Sequence, residues 1–200
     1  MTVVGDIAQS TGAWAHASWD EILGRLPDRR PSRQVELTIG YRIPAPNMAL
    51  AARVLAEAAP ELSPPRSIRQ EGREPKFVAV PAGESLGDAV VRAVIEEVDA
   101  IGHGNVAVIA PRSLVDDMVG ALHAAGVEHG LAPSQGLDHQ VTVVPVTVVK
   151  GLELDATVVV EPAAILDEEP QGLRSLYVAL TRATKRLTVV HARPRPEVIS

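Results

Sequence analysis

Cysteine is absent from the 200 residues, so neither a disulfide nor a thiolate metal site is available to this chain. Aromatic residues are nearly absent: Trp14, Trp19, Tyr41, Phe77 and Tyr177 are the whole set, and the core must be built from Val, Leu, Ile and Ala. Lysine occurs only as Lys76, Lys150 and Lys185, none of them preceded by glycine. That excludes the G-x-x-x-x-G-K-[ST] loop that cradles nucleotide phosphates. No apolar run approaches the roughly 20 residues that cross a bilayer, and the opening Met-Thr-Val-Val-Gly-Asp lacks the basic-then-apolar build of a signal peptide, so a cytoplasmic protein with no membrane partner is expected. A basic excess is missing too. The formal net charge of −6 argues against a domain that coats nucleic acid indiscriminately. His16, His103, His123, His129, His139 and His191 have no ligand-like spacing, and no metal site is expected.

What is present suits one compact domain with a short appendage. Residues 35–39, 76–80, 105–110, 141–149, 156–161 and 186–191 are rich in β-branched residues and read as strands. Most are continuously apolar, as a parallel sheet covered on both faces demands. Helices alternate with them. Ser85 and Gly102 bracket a helix whose stripe is Val90, Val94, Val98 and Ile101, and Ser113 opens another that ends near Gly126. Residues 47–59 form a helix begun by Pro46 and closed by Pro60, after which a proline-rich stretch to Pro75 reads as a surface connection. Leu173, Leu176, Tyr177 and Leu180 form an amphipathic stripe between the last two strands. Ser18-Trp19-Asp20-Glu21 opens a short helix to Leu26. The fold class expected is α/β, a mostly parallel sheet with helices on both faces.

Four segments carry chemistry. Val3-Val4-Gly5-Asp6-Ile7-Ala8-Gln9 is a strand end whose Asp6 and Gln9 can face a ligand, although Gly-Asp there is also an ordinary turn. Thr38-Ile39-Gly40-Tyr41-Arg42 ends in a ring that can stack on a base and a guanidinium that can grip a phosphate; the competing reading is a packed Tyr and a surface Arg. Thr147-Val148-Val149-Lys150-Gly151-Leu152-Glu153 places a cation and an acid beside a flexible backbone. Leu176-Tyr177-Val178-Ala179-Leu180-Thr181-Arg182-Ala183 projects Arg182 away from the apolar stripe, where it can serve as an arginine finger or decorate a solvated face. From Gln171 onward six basic residues face a single acid, Glu197.

These segments, in this order, resemble motifs three, four, five and six of superfamily-one helicases of the UvrD and Rep type. The resemblance implies a RecA-like fold and half of an ATP site. It gives Gln9, Arg42 and Arg182 a place at the γ-phosphate, Tyr41 at the adenine, and Glu153 and Gly151 near the nucleotide. Trp14, Thr147 and Lys150 would meet nucleic acid. Residues 1–30 would be the tail of a first RecA-like domain and 31–200 a second one. ATP and Mg2+ would act only in the full-length enzyme, with neither held tightly by this chain alone. Its partners would be that N-terminal RecA-like domain and single-stranded or duplex DNA. Two departures bear on the subtype. Thr147 stands where His is frequent, and the large helical subdomain that UvrD relatives insert between motifs four and five is missing. The compact form looks closer to the HelD type, which implies RNA polymerase as an alternative partner.

Overall fold

The computed structural model describes residues 2–12, 16, 18–27, 31–134 and 139–200. A 3-10 turn at Ile7–Gln9 and a short helix α1 (Trp19–Leu23) precede a two-residue strand β1 (Ile39–Gly40), helix α2 (Ala45–Ala58) and strand β2 (Arg66–Ser67). There follow β3 (Lys76–Ala79), α3 (Leu86–Ile101), β4 (Val106–Ala110), α4 (Val115–Ala124), β5 (His129–Leu131) and β6 (Val141–Pro145). Then come β7 (Leu154–Val160), α5 (Pro162–Glu168), α6 (Gly172–Leu180) and β8 (Ala183–His191).

Among the described residues, six strands form the main sheet in the order β3-β8-β7-β4-β6-β5, and every neighbouring pair is parallel. The reason lies in strands such as β4, Val-Ala-Val-Ile-Ala, whose residues are at most 1% exposed. A strand apolar on both faces needs cover on both faces. Ala107 and Ile109 point into a cluster with Leu50, Val54 and Leu55 of α2, Ile165 of α5 and Leu176 of α6. Val106 and Val108 point the other way, toward Val90 and Val94 of α3 and Met118 and Leu122 of α4. Ser85 caps α3 by accepting a bond from the Asp88 amide at 3.0 Å, and Gly102, at φ +62°, ends it. The one carboxylate on the buried face of α3, Glu97, is 2% exposed and is held by Arg186 and by the Thr188 hydroxyl at 2.7 Å. A buried carboxylate persists only with such partners.

Several elements differ from the reading of the sequence. Residues 35–38 join no sheet; only Ile39–Gly40 pairs, with Arg66–Ser67. The sixth place in the sheet is taken by β5 at its edge. The strand expected over 141–149 stops at Pro145, which has no amide hydrogen to continue the ladder, and residues 146–148 turn as a 3-10 helix. The connection then crosses the sheet, so Lys150 to Glu153 lie just before β7 rather than at the end of β6. Helix α5 was not anticipated, because Pro162 and three following acids masked it. No helix among the described residues is long and apolar enough to cross a membrane.

Candidate functional site

Helix α6 sets the site. Its stripe packs as the spacing requires, but the helix is buried almost all round, so Arg174 and Arg182 are 8% and 9% exposed. The alternative in which Arg182 decorates a solvated face does not hold. Tyr177 beside them has its phenol pushed up to about 12, chiefly by burial, with Asp6 adding and Arg182 opposing.

Arg182 follows the last turn of α6 and immediately precedes β8, at the amino end of the sheet. Its Nε donates to the Val178 carbonyl at 3.1 Å, in the last turn of α6, which also accepts from the Thr181 amide at 3.2 Å and the Thr181 hydroxyl at 3.0 Å. Nη1 donates to the Leu152 carbonyl at 3.3 Å, and Nη2 donates to Thr181 Oγ1 at 3.2 Å and to Gln9 Oε1 at 3.4 Å. Burial lowers its pKa, Tyr177, Asp6 and Glu153 raise it, and Arg42 lowers it further. The guanidinium remains a cation, as arginine does in proteins.

Gln9 is aimed by its own 3-10 turn. Asp6 caps that turn by accepting from the Ala8 amide at 2.9 Å, and its other oxygen accepts from Gln9 Nε2 at 2.6 Å. The amide oxygen of Gln9 is thereby left facing Arg182.

Arg42 lies on the open side. It pairs with Glu153 at 2.8 Å, its guanidinium sits 5.5 Å from the Tyr41 ring centre, and Nη2 is 3.5 Å from the Tyr41 hydroxyl. Both members of the ion pair are about half exposed, and a pair so exposed contributes less than about 1 kcal/mol. Arg42 can therefore leave Glu153 for a ligand at little cost. Tyr41 is 65% exposed, an open ring beside the Arg42 guanidinium. The competing reading of a packed tyrosine does not hold.

The sequence reading missed Arg69. It lies in the stretch taken as a surface connection, yet its Nη1 donates to the Arg42 carbonyl at 2.5 Å and to the Thr184 carbonyl at 2.6 Å, fastening Arg42 to the start of β8. No local signal marks it, because the role comes from three points brought together by folding.

The structure thus unites Gln9, Tyr41, Arg42, Glu153 and Arg182, with Asp6 and Arg69 in support. Gly151 adjoins them through Leu152 and Glu153, at φ +84°, a conformation that favours glycine. Thr147 and Lys150 are exposed and make no hydrogen bond or ion pair with this group among the described residues. Thr147 instead lines a cavity of about 220 Å³ with Thr11, Gly12, Glu169 and Pro170. Trp14 lies outside the described residues. Chemically, two guanidinium groups, an oriented amide and an open aromatic ring can grip the oxygens of an anion and stack on a planar group attached to it.

No family model matches the chain, and no curated protein is similar to it. Solved structures are. The C-terminal domain of a possible DNA helicase from Lactobacillus plantarum WCFS1 aligns with a TM-score of 0.61 at 22% identity, over 80% of this chain and 92% of that one. An Arterivirus helicase, nonstructural protein 10, in complex with DNA aligns at 0.42 and 19% identity over 62% and 31% of the two chains. The Sulfolobus solfataricus SWI2/SNF2 ATPase core in complex with double-stranded DNA aligns at 0.43 and 17% over 60% and 28%. The fold is α/β and RecA-like, as in that solved domain.

Proposed function

We propose that this chain is the C-terminal half of an ATP-dependent helicase or translocase of the UvrD/Rep kind, in a compact form closer to HelD. In this reading, residues 1–30 belong to a first RecA-like domain, and the ATP site lies between that domain and the group around Arg182. The observation that carries it is the junction of Arg182 with Gln9: a buried guanidinium, fixed at every nitrogen, whose outer edge meets an amide held by Asp6.

The donor set fits a nucleoside triphosphate. Arg42 and Arg182 would hold the γ-phosphate oxygens, Gln9 would sense that phosphate, and the open Tyr41 ring would receive the adenine. Glu153 keeps Arg42 in place until nucleotide arrives, and Gly151 lets the backbone beside it shift. The same group suits Mg2+ poorly, since the carboxylates of Asp6 and Glu153 are already engaged by Gln9 and Arg42. Ligands for the metal would come from the first domain. Trp14, Thr147 and Lys150 would face single-stranded or duplex DNA, clear of the Arg182 group.

The test is steady-state ATP turnover by the protein expressed from its intact gene, in the presence of single strands, duplex or RNA polymerase, alongside nucleotide affinity. Arg182→Ala should lower turnover by about 10³–10⁵ while affinity changes little, because a finger acts where charge develops. Arg182→Lys should recover little of the loss, for it keeps the charge and loses the planar fork. Turnover unchanged in Arg182→Ala overturns the reading. Stimulation by polymerase and by no nucleic acid would move the target from DNA to polymerase.

A further inference from the structure

Arg42 belongs to a turn that does not hold itself together. Residues 41–44 make no backbone hydrogen bond to one another among the described residues. The turn is held from outside, by residues 66–69, which the chain reaches only after the whole of α2. Before the turn, the Ile68 amide donates to the Gly40 carbonyl at 2.9 Å; after it, the Ala45 amide donates to the Arg69 carbonyl at 2.8 Å. Ser67, 5% exposed, donates its hydroxyl to the Ile43 carbonyl at 2.6 Å and accepts from the Arg69 amide at 3.1 Å. Between those points the Arg42 carbonyl accepts from Arg69 Nη1 at 2.5 Å. The same nitrogen donates to the Thr184 carbonyl at 2.6 Å, two residues beyond Arg182. Gly72 lets the segment lie close, since a Cβ there would stand 2.6 Å from Cβ of Pro44.

We propose that Arg69 is a positioning residue for the reaction: it sets the separation of Arg42 from Arg182, and so decides whether both guanidinium groups can meet one phosphate. The inference rests on the shared-site reading above. Two cations aimed at one point repel until the anion arrives. Burial first, and Arg42 after it, disfavour the charge on Arg182. Arg182 has no room to yield, because all three of its nitrogens are engaged. Arg42 is the partner that can drift, as its side chain is held by a half-exposed pair with Glu153. Such a pair is too weak to fix a position. One nitrogen that bridges two main-chain carbonyls instead ties backbone to backbone, and a phosphate shared by two cations needs that precision. The competing role is a plain tie between two loops. Against it stands where the tie ends: the side-chain bonds of Arg69 fall on Arg42 and beside Arg182, and on no other backbone group among the described residues.

Single-turnover ATP hydrolysis by the protein expressed from its intact gene tests this, since slow variants stay measurable in that format. Arg69→Ala should slow hydrolysis at saturating ATP by about 10–100-fold, with the half-saturating ATP concentration moved by less than ~3-fold, because Arg42 is misplaced while Tyr41 still stacks. Arg69→Lys should recover most of the rate, for a single nitrogen makes both bonds and an ammonium carries three donors. Lysine at 182 recovers little, so the two arginines part company in this readout. In an Arg42→Ala background, Arg69→Ala should cost less than ~2-fold more, as it acts through Arg42. An unchanged rate in Arg69→Ala beside a disabled Arg182→Ala protein sinks the positioning role and leaves the shared site standing. A full loss in the Arg42→Ala background, or a loss that lysine does not restore, assigns Arg69 to the fold at large and overturns the proposal as well. A rate indifferent to Arg182→Ala removes the shared site and the positioning role with it.

Discussion

Residues 35–39 and β4 are near equals in strand propensity: Val-Glu-Leu-Thr-Ile against Val-Ala-Val-Ile-Ala. One lies open to solvent at every position, while the other is at most 1% exposed. Nothing local separates them. What differs is that β4 has β6 and β7 to either side and helices on both faces, whereas 35–39 meets a neighbour only at its last two residues. Propensity makes a strand available; partners decide whether it is one.

The contrast is broken or sharpened most strongly by truncating a side chain in each. Ile109→Ala in β4 opens a cavity between α2, α5 and α6 and should cost about 2–5 kcal/mol, whereas Leu37→Ala in the 200-residue chain should stay within about 0.5 kcal/mol. Urea unfolding with matched slopes measures both, and a large loss for Leu37→Ala would show that 35–39 is part of the same core.

A second comparison lies in how each run ends. Residues 35–39 pass into an exposed Tyr41, but β7 passes into Glu161, 4% exposed and in the left-handed region at φ 47°. Its carboxylate accepts from the amides of Ala192 at 3.0 Å and Arg193 at 3.3 Å, clamping the ends of β7 and β8 together. Glu161→Ala leaves those two donors without their partner and should cost about 1–3 kcal/mol, while Glu161→Gln, which keeps an acceptor, should cost less. Equal losses in thermal unfolding would assign the effect to the lost charge rather than to the accepted bonds.

The smallest effect concerns the beginning of β4, which is pinned where 35–39 is not. Asp155 accepts from the Asn105 amide at 3.1 Å and pairs with Lys185 at 2.8 Å. The hydrogen bond from Lys185 is the largest influence, and it holds the carboxyl below its ordinary value against a smaller desolvation effect. A depressed folded pKa contributes stability that is present above the unfolded value of about 4 and is lost as pH falls through the folded one. Lys185→Met should therefore flatten the stability profile below about pH 4, by less than about 1 kcal/mol, and leave it unchanged near neutrality except for the lost pair. A profile of the same steepness in the variant would remove Asp155 from the account.

Much of the fold was legible in the sequence, for physical reasons that also mark the limits. The stripe Leu173, Leu176, Tyr177, Leu180 and the runs of β4 and β7 carry their own periodicity, so their elements emerge as read. Pro145 was visible, but the apolar residues after it disguised the stop. At the site, Gln9, Tyr41, Arg42, Glu153 and Arg182 were found through motif order and do meet. The burial of Arg182 and the clasp by Arg69 were not legible, since both depend on distant segments: Leu152 and Gln9 for the first, Thr184 for the second.

The anchoring of Arg182 has a mechanical side. A guanidinium on a free stem absorbs a pull by turning about its bonds, as a spring would. This one is bolted through Nε and both Nη atoms to the end of α6 and to the strand-side backbone at Leu152, and its own carbonyl accepts from the Leu154 amide at the foot of β7. Load applied at its tip therefore cannot be relieved locally. It passes into the backbone at the starts of β7 and β8, the two strands that meet at Leu154 and Ala183.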